Sequence, residues 1–439
     1  MTTIFLLVSL FGLLVLGVPV AFALGLSTIA TFLVFTDMPM TIIAQRLYHN
    51  LDAFPLMAAP FFIYAGQLAQ VGGVARRLTD LSQALVGHIR GGLALTTVIS
   101  CMFFAAASGS SAATVAAIGS ILMPAMMRAN YPKEIAVGTV ATSGSLGILI
   151  PPSIPMLIYA LITQTSVSKL FIAGILPGLF FGGMLLLVAY VVARAKGLES
   201  LPRVDWRGRR QAFRRAGWSL ALPVLVIGGI YGYPDMTIGS WEIEGNALFT
   251  PTEAAVAAVF YTFIVAKFIY RELSWREWLR VTKESLLVSA MLMFIVTNAI
   301  LFGFLLTDQQ IPATVAEWIT EQDMSPWVFL LIVNIVLAIA GQFMDGVPII
   351  MIFVPVLFPA AMALDIDPIH LGIILVVNLE LGTITPPVGV NLFVASAISK
   401  MSLFEVTKAT APWILVILFV LMVITYVPQI SLLLVRPIF

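Results

Sequence analysis

Four short segments gather hydroxyls, glycines, prolines and carboxylates inside otherwise apolar sequence. The first is Ser108-Gly109-Ser110-Ser111-Ala112-Ala113-Thr114. Small residues let a backbone bend within a membrane, and hydroxyls can replace the hydrogen bonds that the bend loses. Carbonyl oxygens exposed at such a bend, together with Ser and Thr hydroxyls, suit a hard monovalent cation such as Na⁺. Tight helix packing by small residues is the plainer alternative. The second segment is Gly144-Ser145-Leu146-Gly147-Ile148-Leu149-Ile150-Pro151-Pro152-Ser153. Two adjacent prolines remove two amide donors and stop a helix from running through, so carbonyls just before them face whatever cavity adjoins. The third, Asn378-Leu379-Glu380-Leu381-Gly382-Thr383-Ile384-Thr385-Pro386-Pro387, repeats that break and adds the hydroxyls of Thr383 and Thr385 and the carboxyl of Glu380. The fourth is Gly341-Gln342-Phe343-Met344-Asp345-Gly346-Val347-Pro348. An ionisable residue in mid-run, here Asp345, is a functional candidate by default. It can equally cap a half-helix beginning near Pro348, and the two roles are compatible.

The elements that carry these segments are membrane spans. Of 439 residues, 60% are hydrophobic and 10% charged, against about 25% charged in an average soluble domain. Mean hydropathy is +1.04. Thirty-two glycines and 25 prolines are too many for plain helices and point to broken or re-entrant ones. The formal net charge of +1 gives no reason for a nucleic-acid partner. Cys101 is the single cysteine and only His49, His88 and His370 are histidines, which leaves no basis for disulfides or for Cys or His metal clusters. Apolar runs fall near 3–36, 56–70, 93–127, 134–164, 170–193, 216–232, 251–270, 285–306, 326–363, 369–399 and 411–435. The stretch 3–36 has no basic leader and is too long for a signal peptide, so it is expected to span. The runs 93–127 and 326–363 are too long for one span and short for two, and each is expected to enter and leave on one side.

Charge sorts by segment. Basic residues cluster at 76–90, 128–133, 194–215, 267–283 and 400–408, which together hold 20 of the 23 Lys and Arg. Residues 233–253 and 308–323 each carry four acidic residues and no basic one. Basic loops stay in the cytoplasm, so the alternation requires one hairpin to dip in from the cytoplasm and the other from outside. A shift of 235 residues puts Pro124 on Pro359, Gly147 on Gly382, Pro151 on Pro386, Pro152 on Pro387 and Pro177 on Pro412. With an odd number of crossings between copies, the repeats are inverted, the pattern of secondary transporters. The expected fold is therefore an all-α polytopic membrane protein with inverted repeats, two re-entrant hairpins and two Pro-Pro-broken helices. The expected division is a scaffold span at 1–55, a first repeat at 56–193, a basic loop, span and outer loop at 194–250, and a second repeat at 251–435. Residues 72–90 and 271–283 mix basic and apolar residues as interfacial helices do, although ordinary anchored loops fit as well.

The chain resembles the large membrane subunit of the TRAP (tripartite ATP-independent periplasmic) transporters, through GVPVAFALGLS (17–27), PFFIYAGQLAQVGGVARRL (60–78), ASGSSAATVAAIGS (107–120), GILIPPSIPMLIYA (147–160) and LELGTITPPVGVNLFVASAIS (379–399). The resemblance implies Na⁺-driven uptake of a small organic acid across the bacterial inner membrane by an elevator movement of hairpins and broken helices. It also implies two protein partners, a periplasmic substrate-binding protein and a small four-helix membrane subunit, besides the membrane lipid. Carried over by position, one Na⁺ site would use Ser108, Ser110, Ser111 and Thr114 with Gly144, Gly147 and Ile150. A second would use Gly341, Met344 and Asp345 with Thr383 and Thr385, and substrate would lie near Ser110, Ser153, Asp345 and Pro387. The arm-like stretches 72–90 and 271–283 would connect the moving block to the scaffold. Two other readings compete. One is a stand-alone Na⁺-coupled anion carrier of the same superfamily. The other is an intramembrane hydrolase using Ser110 or Ser111, which lacks a nearby base. An ATP-driven pump would need a phosphate-binding Gly-rich Lys-Ser/Thr loop, which is absent from the sequence.

Overall fold

The computed structural model describes residues 1–36, 39–49, 52–232, 236–238, 241–243 and 247–435. Among these the protein is helical, apart from the three-residue strands β1 (Met236–Ile238) and β2 (Trp241–Ile243), paired antiparallel. Eight residues of the acidic stretch expected at 233–253, Asp235 and Glu244 among them, lie outside the described residues. Nine helices among those described are long and apolar enough to cross a membrane.

The chain opens with α1 (Thr2–Val15) and α2 (Val20–Phe35), separated by Gly17 at φ +80° and Pro19, which starts the second helix. Then come α3 (Met40–His49), a 3₁₀ turn at Phe54–Met57, and α4 (Ala58–Val71). Gly73, at φ +81°, turns the chain into α5 (Val74–Val86), whose buried Val74, Leu78 and Leu81 mark one face and Arg76 and Arg77 another. Helices α6 (Gly92–Ser108) and α7 (Ser111–Arg128) form the first hairpin, reversing at Gly109 with φ +62°. The first broken helix follows as α8 (Lys133–Ser143), α9 (Leu146–Leu149) and α10 (Ile154–Thr163). The long helices α11 (Val167–Ala195) and α12 (Trp206–Tyr231) lead to the strands, then to α13 (Pro251–Ile264) with a π-helical extension at Val265–Ile269. Next are α14 (Trp275–Asp308), α15 (Ile311–Glu321) and the second hairpin, α16 (Pro326–Ala340) and α17 (Gly346–Ala363). The second broken helix is α18 (Pro368–Thr383) and α19 (Val390–Ser399), and α20 (Leu403–Tyr426) and α21 (Gln429–Leu432) close the chain.

The 235-residue offset holds for whole elements. Shifting α7 from 111–128 gives 346–363, the bounds of α17. Shifting α10 from 154–163 gives 389–398, within one residue of α19 at each end. Both breaks carry a cis peptide bond, Pro151–Pro152 and Pro386–Pro387. The correspondence also reaches further toward the N-terminus than the proline register indicated. Helix α2 maps onto α13 with its extension, and α3 with α4 (40–71) maps onto 275–306 of α14. Packing is reciprocal: α2 lies along α14, and α13 along α4.

One expectation changes. Residues 271–283 do not form a separate arm, because Ser274 and Glu277 make a capping box that starts α14 and the helix then runs on to Asp308. In the first copy the same stretch is broken before α4, where Pro55 opens the 3₁₀ turn. The mate of α5 (shifted range 309–321) is α15, in a segment read from sequence as an acidic outer loop.

All five basic groups meet at one end of the molecule. The Leu201 amide donates to Gly87 O at 3.0 Å, and the Tyr131 hydroxyl donates to Glu199 O at 3.4 Å. Arg76 pairs with Glu272, and Lys133 lies close enough to Glu405 to act on its charge.

Candidate substrate and cation site

A cavity of about 200 Å³ opens where the two hairpin tips meet the two breaks. Its wall takes residues 108–113 from the first tip, Ile148, Ile154 and Pro155 from the first break, Asp345–Val347 from the second tip, and Thr383 and Val390 from the second break. The remaining side is formed by Ile63, Gly66 and Gln67 of α4, and Val288, Met291, Leu292 and Ile295 of α14.

Local chemistry explains why four half-helices start here. Ser110 accepts from the Ala113 amide at 3.4 Å and caps α7; Ser153 accepts from the Met156 amide at 3.4 Å and caps α10. Asp345 caps α17, taking the Gly346 amide at 2.8 Å, and its side chain is exposed where it lines the cavity. Gly389 precedes α19. Helix starts present free N–H groups and the positive end of the helix dipole, so four of them at one cavity make a strong anion cradle. The described lining contains no Lys, Arg or His.

The first tip and first break are in contact through bare backbone. A Cβ on Gly147 would come 2.5 Å from Ser110 O and 2.6 Å from Thr114 Oγ1, and one on Gly144 would strike Val115. Ser108 Oγ and Thr114 Oγ1 are 2.8 Å apart, and the Thr114 hydroxyl donates to Ser110 O at 2.9 Å. Six of the seven residues proposed from sequence for a first cation site, Ser108, Ser110, Ser111, Thr114, Gly144 and Gly147, are thus brought together. The side chain of Ile150 lies against Gly178 of α11, which leaves its backbone carbonyl as the only oxygen it could offer there.

At the second tip, a Cβ on Gly382 would come 2.7 Å from Gly341 Cα and from Gly341 O. The Val388 amide donates to Gln342 O at 2.9 Å, tying tip to break. Met344 is buried at this junction, and Thr383 and Asp345 face the same cavity. The Thr385 hydroxyl donates to Leu381 O at 2.9 Å. Two of the proposed substrate residues, Ser110 and Asp345, line the cavity. Ser153 is fully buried behind the Ile154–Pro155 wall, and Pro387 is exposed outside it, because the chain leaves the cavity after Thr383 and re-enters only at Val390.

One residue that ties the site together was missed from sequence. Asn391 Nδ2 donates to Thr383 Oγ1 at 3.2 Å, to Ala141 O at 3.3 Å and to Ser145 Oγ at 3.4 Å, while its Oδ1 accepts from Ser111 Oγ at 3.2 Å. It thereby joins the first tip and both breaks. An amide inside an apolar half-helix was the available signal. Glu380, fully buried, takes the Thr383 hydroxyl at 3.2 Å on Oε2, and its carboxyl also lies beside the Ser145 hydroxyl and the Ile148 backbone.

The family profile described as "Tripartite ATP-independent periplasmic transporter, DctM component" matches residues 7–430. The chain belongs to this family. It is a TRAP large permease, a multi-pass inner-membrane transport protein and not an enzyme. It is 50% identical over 410 residues to the C4-dicarboxylate TRAP transporter large permease protein DctM of Pseudomonas aeruginosa, covering 93% of each chain. It is 44% identical over 437 residues to the protein of the same description from Rhodobacter capsulatus, covering 96% of each. Among solved structures the permease resembles the Alcanivorax borkumensis YdaH transporter in fold, with a TM-score of 0.61, 15% identity, and coverage of 90% of this chain and 88% of that one.

Proposed function

We propose that this TRAP permease carries a C4-dicarboxylate together with Na⁺, and that the observation carrying the reading is the cavity walled by four half-helix starts, whose described lining has no Lys, Arg or His. Helix N-termini favour an anion, yet a dianion placed beside Asp345 adds negative charge where no lining side chain offsets it. Co-bound cations remove that penalty, and this makes coupling an electrostatic requirement. The tip-and-break oxygens named above, those of Ser108, Ser110, Ser111, Thr114, Gly144, Gly147 and Ile150 on one side and of Gly341, Asp345, Thr383 and Thr385 on the other, with Met344 packed among them, would hold the ions. Oxygen ligands of this kind suit Na⁺. Drug-sized ligands fill pockets of roughly 300–1,000 Å³, so a cavity of about 200 Å³ favours a four-carbon acid over a sugar acid. The names of the two relatives point the same way.

Transport proceeds as an elevator. Each hairpin packs on the far half-helix of the other repeat, α7 on α19 and α17 on α10. Rocking of one repeat against the other would tear both contacts, whereas sliding the four elements together past α4 and α14 keeps them. The hairpins are re-entrant, the first from the basic end and the second from the opposite end, and the basic end faces the cytoplasm. A periplasmic binding protein delivers the acid, and a small four-helix membrane subunit braces the scaffold, as the word tripartite in the family's description supports.

The test is uptake of labelled succinate into proteoliposomes holding the complex, with spin labels at Ala113, Val394 and Leu14. Uptake is expected only with a Na⁺ gradient, a constant Ala113–Val394 distance, and a distance to Leu14 that changes by many ångströms. Uptake equal in K⁺, or a Leu14 distance fixed in every condition, overturns the corresponding part.

A further inference from the structure

At the basic end, away from the transport cavity, a second cavity of about 480 Å³ lies between α5, α12 and the last residues of the π-helical turn. Its wall holds four guanidinium-bearing residues, Arg76 and Arg77 of α5 and Arg214 and Arg215 of α12, with Asp80, Trp218, Ile269 and Tyr270. Glu272 pairs with both Arg76 and Arg77, and the Arg77 guanidinium lies 3.6 Å over the Tyr270 ring. The Tyr270 hydroxyl donates to Arg215 O at 3.2 Å and is 2.8 Å from Ser219 Oγ, which fixes the end of the π-helical turn to α12. Arg214 and Arg215 have no ion pair among the described residues. Burial pushes the Asp80 carboxyl up, against the pull of Arg76, Arg77 and Arg215. The cavity therefore keeps at least two positive charges beyond its two acids. Its rim joins exposed charge, on Arg76, Asp80, Arg214 and Arg215, to aromatic surface: Trp218 is 51% exposed, and Phe268, next in sequence to Ile269, is 58% exposed. It sits at the basic end of the apolar helices α12 and α13, so a phosphate in it would have exposed aromatic surface alongside.

We propose that this cavity binds the headgroup of an anionic phospholipid, with Arg214 and Arg215 on the phosphate and the acyl chains along Trp218 and Ile269. A basic recess at the inner membrane interface recognises anionic headgroups by this chemistry, and arginine forks match phosphate oxygens in pairs. A soluble phosphate ester would satisfy the arginines but would leave the aromatic mouth in water.

The test measures the melting temperature of the full chain in neutral detergent, with cardiolipin, phosphatidylglycerol, phosphatidylcholine or inorganic phosphate added. Cardiolipin and phosphatidylglycerol are expected to raise it, and phosphatidylcholine and phosphate to leave it unchanged. Arg214→Gln/Arg215→Gln should lose at least half of the cardiolipin shift. Arg207→Gln/Arg210→Gln, on the same helix but outside the cavity, should keep it. Should the first variant fold poorly, Trp218→Ala and native mass spectrometry of retained cardiolipin give the second measurement, with the bound lipid falling in W218A. Equal shifts in both double variants, a shift with phosphatidylcholine or phosphate, or undiminished bound lipid in W218A would overturn the proposal.

Discussion

The two copies of the repeat have the same backbone plan and different side-chain chemistry. Each has a hairpin whose outgoing helix begins with a capping side chain, Ser110 in one and Asp345 in the other, and each has a glycine pressed against that tip, Gly147 and Gly382. The first copy is neutral there, its hydroxyls bonded to one another and to carbonyls. The second copy holds both acids of the region, Asp345 and Glu380. The arms diverge in the same way, α5 exposing Arg76 beside Arg77 and α15 carrying Glu317 and Glu321. Backbone geometry is thus what the repeat preserves. Charge has been distributed to one copy, so under the proposed Na⁺ coupling the second site would bind its cation by charge and the first by neutral oxygens alone.

The largest effect is expected where the two copies are alike. Gly147→Ala and Gly382→Ala should each reduce uptake to below a tenth while the protein still inserts, because overpacking costs about 1–3 kcal/mol when the neighbour cannot yield. G382A should be the worse of the two, since its neighbour is the Gly341 backbone, whereas part of the clash at Gly147 is with the Thr114 side chain. Uptake and melting temperature measured on the same preparations check this. Wild-type uptake in either variant would mean that tip and break separate during transport.

A smaller effect should separate the copies. Asp345→Asn keeps a side chain able to cap α17 but removes the charge. The half-saturating Na⁺ concentration should therefore rise about ten-fold, about 1.4 kcal/mol, with little change in melting temperature. Ser110→Ala and Thr385→Ala each remove one neutral oxygen and should raise it about two- to five-fold, in keeping with roughly 0.5–1 kcal/mol for a single hydrogen-bonding group. If S110A exceeds D345N, the division of charge between the sites is wrong.

The smallest effect concerns helix starts outside the site. The mates α11 and α20 both begin at a serine, but Ser402 shares a full capping box with Glu405 while Ser166 makes one bond of 3.3 Å to the Lys169 amide. Ser402→Ala should cost about 1 kcal/mol of stability and Ser166→Ala less, as seen by thermal melts. Equal losses would show that the box adds nothing beyond its first bond.

The membrane class, both hairpins, both breaks and the repeat were legible in the sequence because each depends on local chemistry. Apolar length, proline pairs and capping residues act within one or two helical turns, and their period survives without knowledge of any neighbour. The bend at the first tip was legible for the same reason, since Ser108 to Thr114 supply their own turn. What only the tertiary structure decided was pairing across distance. Asn391 meets Ser111 and Ser145 from residues 280 and 246 positions away, and no local signal selects those partners. Pro387 belongs to the right motif yet lies outside the cavity, because the path of the chain through the break, and not the presence of the break, determines which atoms face inward. The arm of the second repeat was misplaced onto 271–283 because amphipathic composition is shared by interfacial helices and by the first turns of a span. Only the uninterrupted course of α14 to Asp308 and the packing of α15 against α17 distinguish them.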